Sequence, residues 1–451
     1  MKNILFKKES YLVIFLLLFS ALINQYYASR GVFPVDSFAH FDTGYRILLG
    51  EHPFKDFWVV SGPLIDYIQS IFFYFFGVNW QSYIFHASFF NAILSLATYF
   101  LLRSFNLNIY YSFIYSLFFS VLAYPSSGTP FVDHHSTFFS LLGIYSLILG
   151  IKSEKKIYWI LLPIFFVCAF LSKQVPSAYI ILCVILILSI YLIIQKKFFL
   201  IKYSIFSLIL FTLLILIFGK IHNIELSAFL NQYIFYPQSI GAKRFSGFEF
   251  TFSGVFGHFK FIYISALILF YVNLKKIIYE KKYYKQNDFY YFLILFLFTF
   301  SLIFHQVLTR NQTFIFFLIP ILFAFSHIYF TSSNLNINKF ISLIFISICL
   351  FATIKYHIRF NENRKFHELN YVDFNFFESA KKIDTKFYGL KWITPEYKNE
   401  SNKEIEMINE IKLHLSNDKN NKMLMTNYSF FSSILEEKLH SPSRWYIFDG
   451  T

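Results

Sequence analysis

The stretch PSAYIILCVILILSIYLIIQ, residues 176–195, has no Asp, Glu, Lys or Arg in twenty consecutive positions. An apolar helix of this length can cross the hydrocarbon core of a bilayer, whereas helices in soluble cores are usually shorter. The whole chain has the same character, because 56% of its 451 residues are hydrophobic and only 15% are charged. A soluble protein of this size needs more charge on its surface. Residues 176–195 therefore predict one span of a polytopic membrane protein.

Ten further apolar blocks of similar length flank this stretch, and they extend the prediction to residues 1–358 of the chain. Together they predict an all-α polytopic membrane bundle of about eleven transmembrane helices. The first block has a basic start but no small-residue cleavage site, so we interpret it as a retained span. The ten blocks are residues 10–28, 83–103, 109–125, 135–151, 157–172, 201–219, 259–279, 288–304, 313–330 and 339–357.

Residues 63–77 are apolar but short for a crossing, and they contain Asp66 and Gln69. If this segment lies along the membrane surface, nearly all basic clusters fall on one side, as the positive-inside rule requires. We therefore expect a surface segment and an inward N-terminus. The segments then predicted to face outward are residues 29–82, 126–134, 173–176, 221–256, 305–312 and the tail from 359.

The polar tail, residues 359–451, predicts a small α/β extracytoplasmic domain. An amphipathic helix is expected at 403–417 and a second helix at 429–438. Whether the domain is complete is left open by the sequence. Strands are expected at 388–394, 422–426 and 445–448.

Several classes of function are excluded by composition and motifs. The formal charge of +14 does not indicate nucleic-acid binding, since the basic residues cluster at span ends and in the tail. The three cysteines form no CxxC pair, so neither a zinc cluster nor a disulfide framework is expected. P-loop, G-x-S-x-G, HExxH and dinucleotide-binding fingerprints are absent. The inward loops are too short to hold a domain that binds nucleotide sugars.

The first outer loop carries the most informative sequence, VDSFAHFDTGYRILLGEHPFKDFWVVSGPL, residues 35–64. Its apolar residues fall on one helical stripe, which predicts an interfacial amphipathic helix over residues 36–49 with Asp36 and His40 on one face. Carboxylates beside a membrane are costly unless they are paired or functional. Asp36, Asp42 and Asp56 therefore either cap helices and pair with Arg30, Arg46 and Lys55, or take part in chemistry.

This loop resembles the first periplasmic loop of GT-C glycosyltransferases, in particular the protein O-mannosyltransferase and aminoarabinose-transferase branch. The layout is similar too, with one span, a long outer loop with surface helices, a multispan bundle and an outer C-terminal domain. Many members carry Asp-Glu at the first position, whereas here Ser37 follows Asp36. The matching residues are Asp36, Gly50, Pro53, Phe54, Asp56, Gly62 and Pro63.

The resemblance implies a sugar donor linked to polyprenyl phosphate. The acceptor must lose a proton as it attacks the anomeric carbon, so a carboxylate is needed as general base. The resemblance implies Asp36 for this role, with Asp42 as the alternative, and it implies substrate contacts for Asp56, His40 and Gln174.

A leaving lipid phosphate needs cationic groups rather than a strong acid. The resemblance implies that Lys173, Arg310 and His305 provide them. Two alternatives stay open: Lys173 snorkels to water, and Arg310 anchors the chain at the headgroups. Lys243 and Arg244 lie in the long outer loop over residues 221–256, which we call the third outer loop, and they contact headgroups, acceptor or nothing.

Asp133 and His134, at the second outer turn, are candidate ligands for a divalent cation, either Mg²⁺, Mn²⁺ or Zn²⁺. The alternative is an interfacial helix cap. Adjacent residues cannot all converge on one ion.

The leading hypothesis is a transferase that moves a sugar from polyprenyl phosphate to a glycan, lipid or protein acceptor. Its location is expected to be a bacterial inner membrane, with the active site facing outward among membrane lipids and no nucleic-acid partner. A transporter or flippase for lipid-linked sugars is disfavoured, because no repeat is found and the charges gather at the outer surface rather than at midplane. An O-antigen-type polymerase or ligase would explain Lys243, Arg244 and His258, but not the pattern from Asp36 to Pro63.

Overall fold

The computed structural model of the chain describes residues 2–124, 128–246, 251–309, 315–332, 339–365 and 368–443. Apolar helices dominate, and eight helices in these ranges are long and apolar enough to cross a membrane. Three more, at Ile109–Ala123, Lys156–Ser172 and Leu318–Thr331, are apolar but shorter. The protein is therefore an integral membrane protein of the all-α polytopic class.

Each of the eleven predicted spans corresponds to a helix, with ends that differ by a few residues. These helices are α1 (Lys2–Ala28), α5 (Trp80–Ser104), α6 (Ile109–Ala123), α7 (Val132–Ser153), α8 (Lys156–Ser172), α9 (Gln174–Gln195), α10 (Ile201–Ile221), α13 (His258–Tyr279), α14 (Asn287–Thr309), α15 (Leu318–Ser332) and α16 (Lys339–His357). The shorter elements are α2 (Pro34–Ser37), α3 (Ala39–Leu48), α4 (Pro63–Phe76), α11 (Leu226–Leu230), α12 (Tyr236–Ser246), α17 (Ser401–Asn417), α18 (Phe431–Leu435), β1 (Glu378–Ser379) and β2 (Lys391–Trp392).

Ion pairs identify which loops share an end of the bundle. At one end Asp133, before the body of α7, pairs with Lys173 between α8 and α9. The other end carries the pairs of Glu9 with Arg103 and of Glu154 with Lys197. The loops predicted to face outward thus meet at one end of the bundle, which we call the outer end, and the basic clusters lie at the other.

The predicted interfacial helix over residues 36–49 is wrong in two respects. The chain forms two helices, α2 and α3, which break at Phe38 where ψ is near zero. Residues 39–46 are also buried on every face rather than on one. The reason is that α4 covers one side of α3 and the C-terminal segment covers the other, so polar groups on α3 find protein partners instead of water.

Helix α4 is the segment that the sequence placed on the membrane surface. It has 14 residues and begins at the Gly62–Pro63 turn, where Gly62 adopts a positive φ of 73° that favours glycine. Ile65 and Phe73 are buried, whereas Tyr74 and Phe75 are exposed. Such a two-faced helix, too short to span, is suited to lie at the interface.

The C-terminal domain contains less sheet than the sequence predicted. Within its described residues, β1 and β2 form an antiparallel two-stranded sheet, and the helix expected at 403–417 is present as α17. The strand predicted at 422–426 is absent, because its carbonyls accept from His440 N–H and the Ser441 hydroxyl rather than from a ladder. The helix predicted at 429–438 shortens to α18, and residues 445–448 lie outside the described residues.

The C-terminal domain packs directly on the first outer loop. The Gly31 and Val32 N–H groups donate to the carbonyls of Lys391 and Ile393, at 2.9 and 3.0 Å. Phe38 is fully buried there. Its ring contacts those of Trp80, Phe387, Trp392 and Phe430. The tail therefore forms one core with the first outer loop, between α1 and α5.

Replacing Phe38 tests this shared core. Phe38→Ala should lower the free energy of unfolding by about 3–5 kcal/mol, because it leaves a cavity among packed aromatic rings. Thermal unfolding of the full chain in detergent measures the effect. Phe376→Ala is the matched control, since Phe376 is 49% exposed. Equal loss of stability in the two variants would contradict the shared core.

Candidate functional site

A cavity of about 640 Å³ lies at the outer end of the bundle, and we call it the Asp36 cavity. It is bounded by the first outer loop, the start of α7, the α8–α9 break and the third outer loop. Most of its wall is apolar, and its polar groups gather at one place. The lining comprises Val35, Asp36, Val60, Ser61, Phe131, Val132, Asp133, Phe170, Lys173, Gln174, Val175, Tyr179, Tyr233, Ile234, Pro237, Gln238, Ile240, Gly241, Leu308 and Thr309.

Asp36 lies on the short helix α2, where Pro34 at the first turn fixes a helical φ. Its side chain is partly buried in the cavity wall, and this burial raises its pKa to about 7. The carboxylate of Asp133 raises the same pKa further, the Lys173 ammonium lowers it, and Glu368 contributes a smaller increase. Asp36 therefore titrates near neutral pH, the range that suits a general base.

Asp133 and Lys173 form an ion pair inside the cavity wall, with Lys173 Nζ 2.7 Å from Asp133 Oδ2. His305 Nε2, from α14, lies 3.1 Å from Oδ1 of the same carboxylate. Lys173 has an extended backbone conformation between α8 and α9, and its side chain lines the cavity. Two of the three residues predicted to bind the donor phosphate, Lys173 and His305, thus both contact Asp133.

Gln174 connects two outer loops at the cavity. Its side-chain amide donates to the carbonyls of Val60 and Tyr233, both at 2.7 Å. Gln232 makes a parallel connection, accepting from Val59 N–H and donating to the Phe54 carbonyl. The third outer loop is therefore held against the first by two glutamines, and Gln174 lines the Asp36 cavity.

Three of the described residues that were predicted from sequence lie away from these groups. Asp42 is buried beneath the tail, where it accepts a hydrogen bond from Ser432, and burial raises its pKa to about 6. His40 pairs with Asp66 of α4 at 2.7 Å, not with Asp36. Asp56 is exposed and accepts from the His52 N–H. Arg310 lies outside the described residues, as do the side chains of Lys243 and Arg244.

The two predicted metal ligands differ in their surroundings. Asp133 contacts Lys173 and His305, whereas the ring of His134 stacks on Tyr124 at a centroid distance of 4.5 Å. Across the described ranges, no group of three or more His, Cys, Asp or Glu side chains is placed to hold a metal ion. A divalent cation at Asp133 and His134 stays a prediction.

A buried polar network beneath the first loop was missed by sequence reasoning. Asp66 accepts from Thr43 at 2.5 Å and contacts His40, and Gln69 on the same helix lies 2.9 Å from His86 Nδ1. The signal was present, since Asp66 and Gln69 interrupt an apolar segment. Polar groups in such segments are expected to have partners, but their identity depends on how α3, α4 and α5 pack.

Comparison with protein families bears on residues 52–221. This segment matches the model of a family described as dolichyl-phosphate-mannose-protein mannosyltransferase. The match supports a membrane glycosyltransferase of the GT-C type. It confirms the resemblance found in the first outer loop, and its range includes Asp56, Asp133, Lys173 and Gln174 but not Asp36 or His305. No curated protein matches the chain.

Proposed function

We propose that this GT-C-type glycosyltransferase moves a sugar from a polyprenyl-phosphate donor to an acceptor in the Asp36 cavity, with Asp36 as general base. The observation that carries the proposal is the placement of Asp36 and Lys173 in the lining of one cavity. A carboxylate with a near-neutral pKa can take the proton from the acceptor. A cation at the same cavity can stabilise the charge of the leaving phosphate.

The donor phosphate is assigned to Lys173. The lysine is held at the cavity by Asp133, and its ammonium has three donors, of which the carboxylate occupies only part. His305 contacts the same Asp133 carboxylate, and with Arg310, as predicted from sequence, it completes the group assigned to the phosphate. The hydrocarbon chain of the donor then follows the apolar part of the cavity toward the bilayer. This part of the cavity is lined by Phe170, Val175, Tyr179, Ile234, Ile240 and Leu308.

The chemical step is a direct displacement at the anomeric carbon. Asp36 takes the proton from the acceptor O–H or N–H as that atom forms its bond to the carbon. The bond from the anomeric carbon to the phosphate oxygen breaks, and polyprenyl phosphate leaves with the electron pair. Lys173 stabilises the phosphate charge, so no strong acid is needed. A single displacement inverts the anomeric configuration.

Two competing functions have less support. A transporter for lipid-linked sugars needs no general base, and it would place its charged groups near the bilayer midplane. Asp36, Asp133 and Lys173 instead lie together at the outer end. A polymerase or ligase of the O-antigen type would use cations of the third outer loop, yet the cavity carboxylate belongs to the first. A bacterial inner membrane remains the proposed location, with glycan, lipid and protein as the classes of acceptor.

Removing the carboxylate charge of Asp36 tests the proposed base. Asp36→Asn should reduce transfer by roughly 10²–10⁴-fold while insertion and folding persist, because the amide keeps the shape but accepts no proton. Turnover of a panel of polyprenyl-phosphate sugars by purified protein measures this.

Two further variants provide comparison. Asp288→Asn, at the other end of the bundle, should keep wild-type activity, since Asp288 contacts only Lys276 there among the described charged side chains. Asp42→Asn should also retain the chemical step. Full activity in Asp36→Asn, or an equal loss in Asp42→Asn, would exclude Asp36 as the base.

The pH dependence of transfer provides a second test. A base with a pKa of about 7 is protonated below that pH, so kcat/KM should rise about tenfold per pH unit up to pH 7 and then level. Asp133→Asn removes a negative neighbour, so the pKa of Asp36 falls and the rise of kcat/KM with pH moves to lower pH. The assignment would be contradicted if the wild-type rise levelled off near the ordinary pKa of an aspartate. It would also be contradicted if the rise occurred at the same pH in Asp133→Asn.

A further inference from the structure

Three cationic side chains meet at the outer end of the bundle, where α13 begins and α16 ends. The two helix ends are joined by the Tyr356 hydroxyl, which donates to the His258 carbonyl at 3.1 Å. The Arg30–Glu362 ion pair, at 2.8 Å, links the turn after α16 to the first outer loop and so identifies this end of the bundle. The cations, which we call the outer cation cluster, are Lys260 of α13, Lys355 of α16 and Arg359 of the turn Ile358–Glu362.

The outer cation cluster holds like charges against one another. The Lys355 ammonium lies within hydrogen-bonding reach of the Lys260 ammonium, and Arg359 adds a third positive charge beside them. Both lysines lie over the ring of Phe261, with their Nζ atoms 5.9 and 5.3 Å from its centroid. Because adjacent positive charges repel, two ammonium groups in contact are stabilised when an anion lies between them.

No carboxylate balances the cluster within the part of the chain that the structure describes. The charged groups that act on Lys355 are Lys260 and Arg359. The acidic residue closest to Arg359 along the chain is Glu362, whose charge is already offset by its ion pair with Arg30. The Nε atom of Arg359 is buried and has no hydrogen-bond partner among the described residues. The cluster therefore presents three positive charges to an anion.

An apolar surface continues from the cluster toward the bilayer. Ile264 lies one helical turn beyond Lys260 in α13 and is 38% exposed. Phe351 lies one turn before Lys355 in α16 and is 60% exposed. The ring of Phe351 packs against that of Phe261, at 5.8 Å between centroids, so the two apolar faces adjoin. Cations above a hydrocarbon surface match a phospholipid, whereas a free phosphate would use the cations alone.

We propose that the outer cation cluster binds the headgroup of an anionic phospholipid, whose acyl chains lie along the exposed faces of α13 and α16. The phosphate lies between the Lys260 and Lys355 ammonium groups and accepts hydrogen bonds from them and from Arg359. None of these three residues lines the Asp36 cavity. The lipid is therefore a bound partner that joins α13 to α16, and the inference does not depend on the proposed transfer reaction.

Thermal unfolding of the full chain in detergent with added lipid tests this site. Dioleoylphosphatidylglycerol should raise the unfolding midpoint more than dioleoylphosphatidylcholine, because the two lipids share their chains but only the first carries a net charge. Lys260→Gln should raise the midpoint in the absence of lipid, since it removes a repelling charge. The same variant should bind phosphatidylglycerol about fivefold more weakly, the effect of losing one lysine beside an anionic headgroup. Lys355→Gln should behave in the same way.

The opposite signs of these two effects separate a lipid site from a purely structural lysine, whose loss would lower the midpoint with and without lipid. Lys419→Gln is the matched control, because Lys419 is exposed in the tail and its loss changes the net charge equally. This control should bind phosphatidylglycerol as the wild type does.

Crosslinking locates the lipid independently of stability. A photoactivatable phosphatidylglycerol should attach to peptides that contain residues 258–267 and 350–359, and Lys260→Gln should reduce this attachment about fivefold. Equal stabilisation by the two lipids, or full stabilisation of Lys260→Gln by phosphatidylglycerol, would overturn the site. Stabilisation of the wild type to the same extent by inorganic phosphate would show that the cluster takes a soluble anion, and it would overturn the lipid assignment.

Discussion

The ion pair between Lys173 and Asp133 is the interaction on which the outer end of the bundle depends. Both groups are largely buried. An unpaired charge in such a buried position would cost several kcal/mol. Their contact joins the α8–α9 break to the start of α7, and His305 adds α14 to the same carboxylate. Three segments distant in sequence are thereby fixed around one cavity. Burial is the main cause of the raised pKa of Asp36; the charges of this cluster act on it in opposite directions, since Asp133 raises the pKa and Lys173 lowers it.

The helices of the bundle were predictable from sequence because each membrane span is encoded by one continuous apolar segment. Each run of apolar residues long enough to cross hydrocarbon carries its own signal, and all eleven predicted runs are helices. Residues 63–77 were also correctly set apart as too short, because Asp66 and Gln69 require partners. Lys173 was noticeable as a charge between two apolar blocks, and its partner Asp133 was noticed separately at another outer turn.

The first outer loop shows where local sequence reasoning ends. Its apolar stripe was consistent with an interfacial helix, but the surface opposite the stripe is covered by residues far along the chain. Asp42 contacts Ser432, and Arg46 donates to the Ser441 carbonyl. His40 similarly points to Asp66 rather than to Asp36. A contact between residues nearly 400 positions apart does not alter the hydrophobic periodicity of either segment. The different environments of Asp36 and Asp42 could therefore not be distinguished from the sequence.

The measurement that tests the central claim most directly is the structure of the full chain bound to a non-hydrolysable polyprenyl-phosphate sugar. The phosphate should lie within hydrogen-bonding distance of Lys173 Nζ, with the anomeric carbon facing the Asp36 carboxylate and the chain leaving between α9 and α14. A lipid held at the bilayer midplane, with its phosphate remote from Lys173 and Asp36, would contradict catalysis at this cavity.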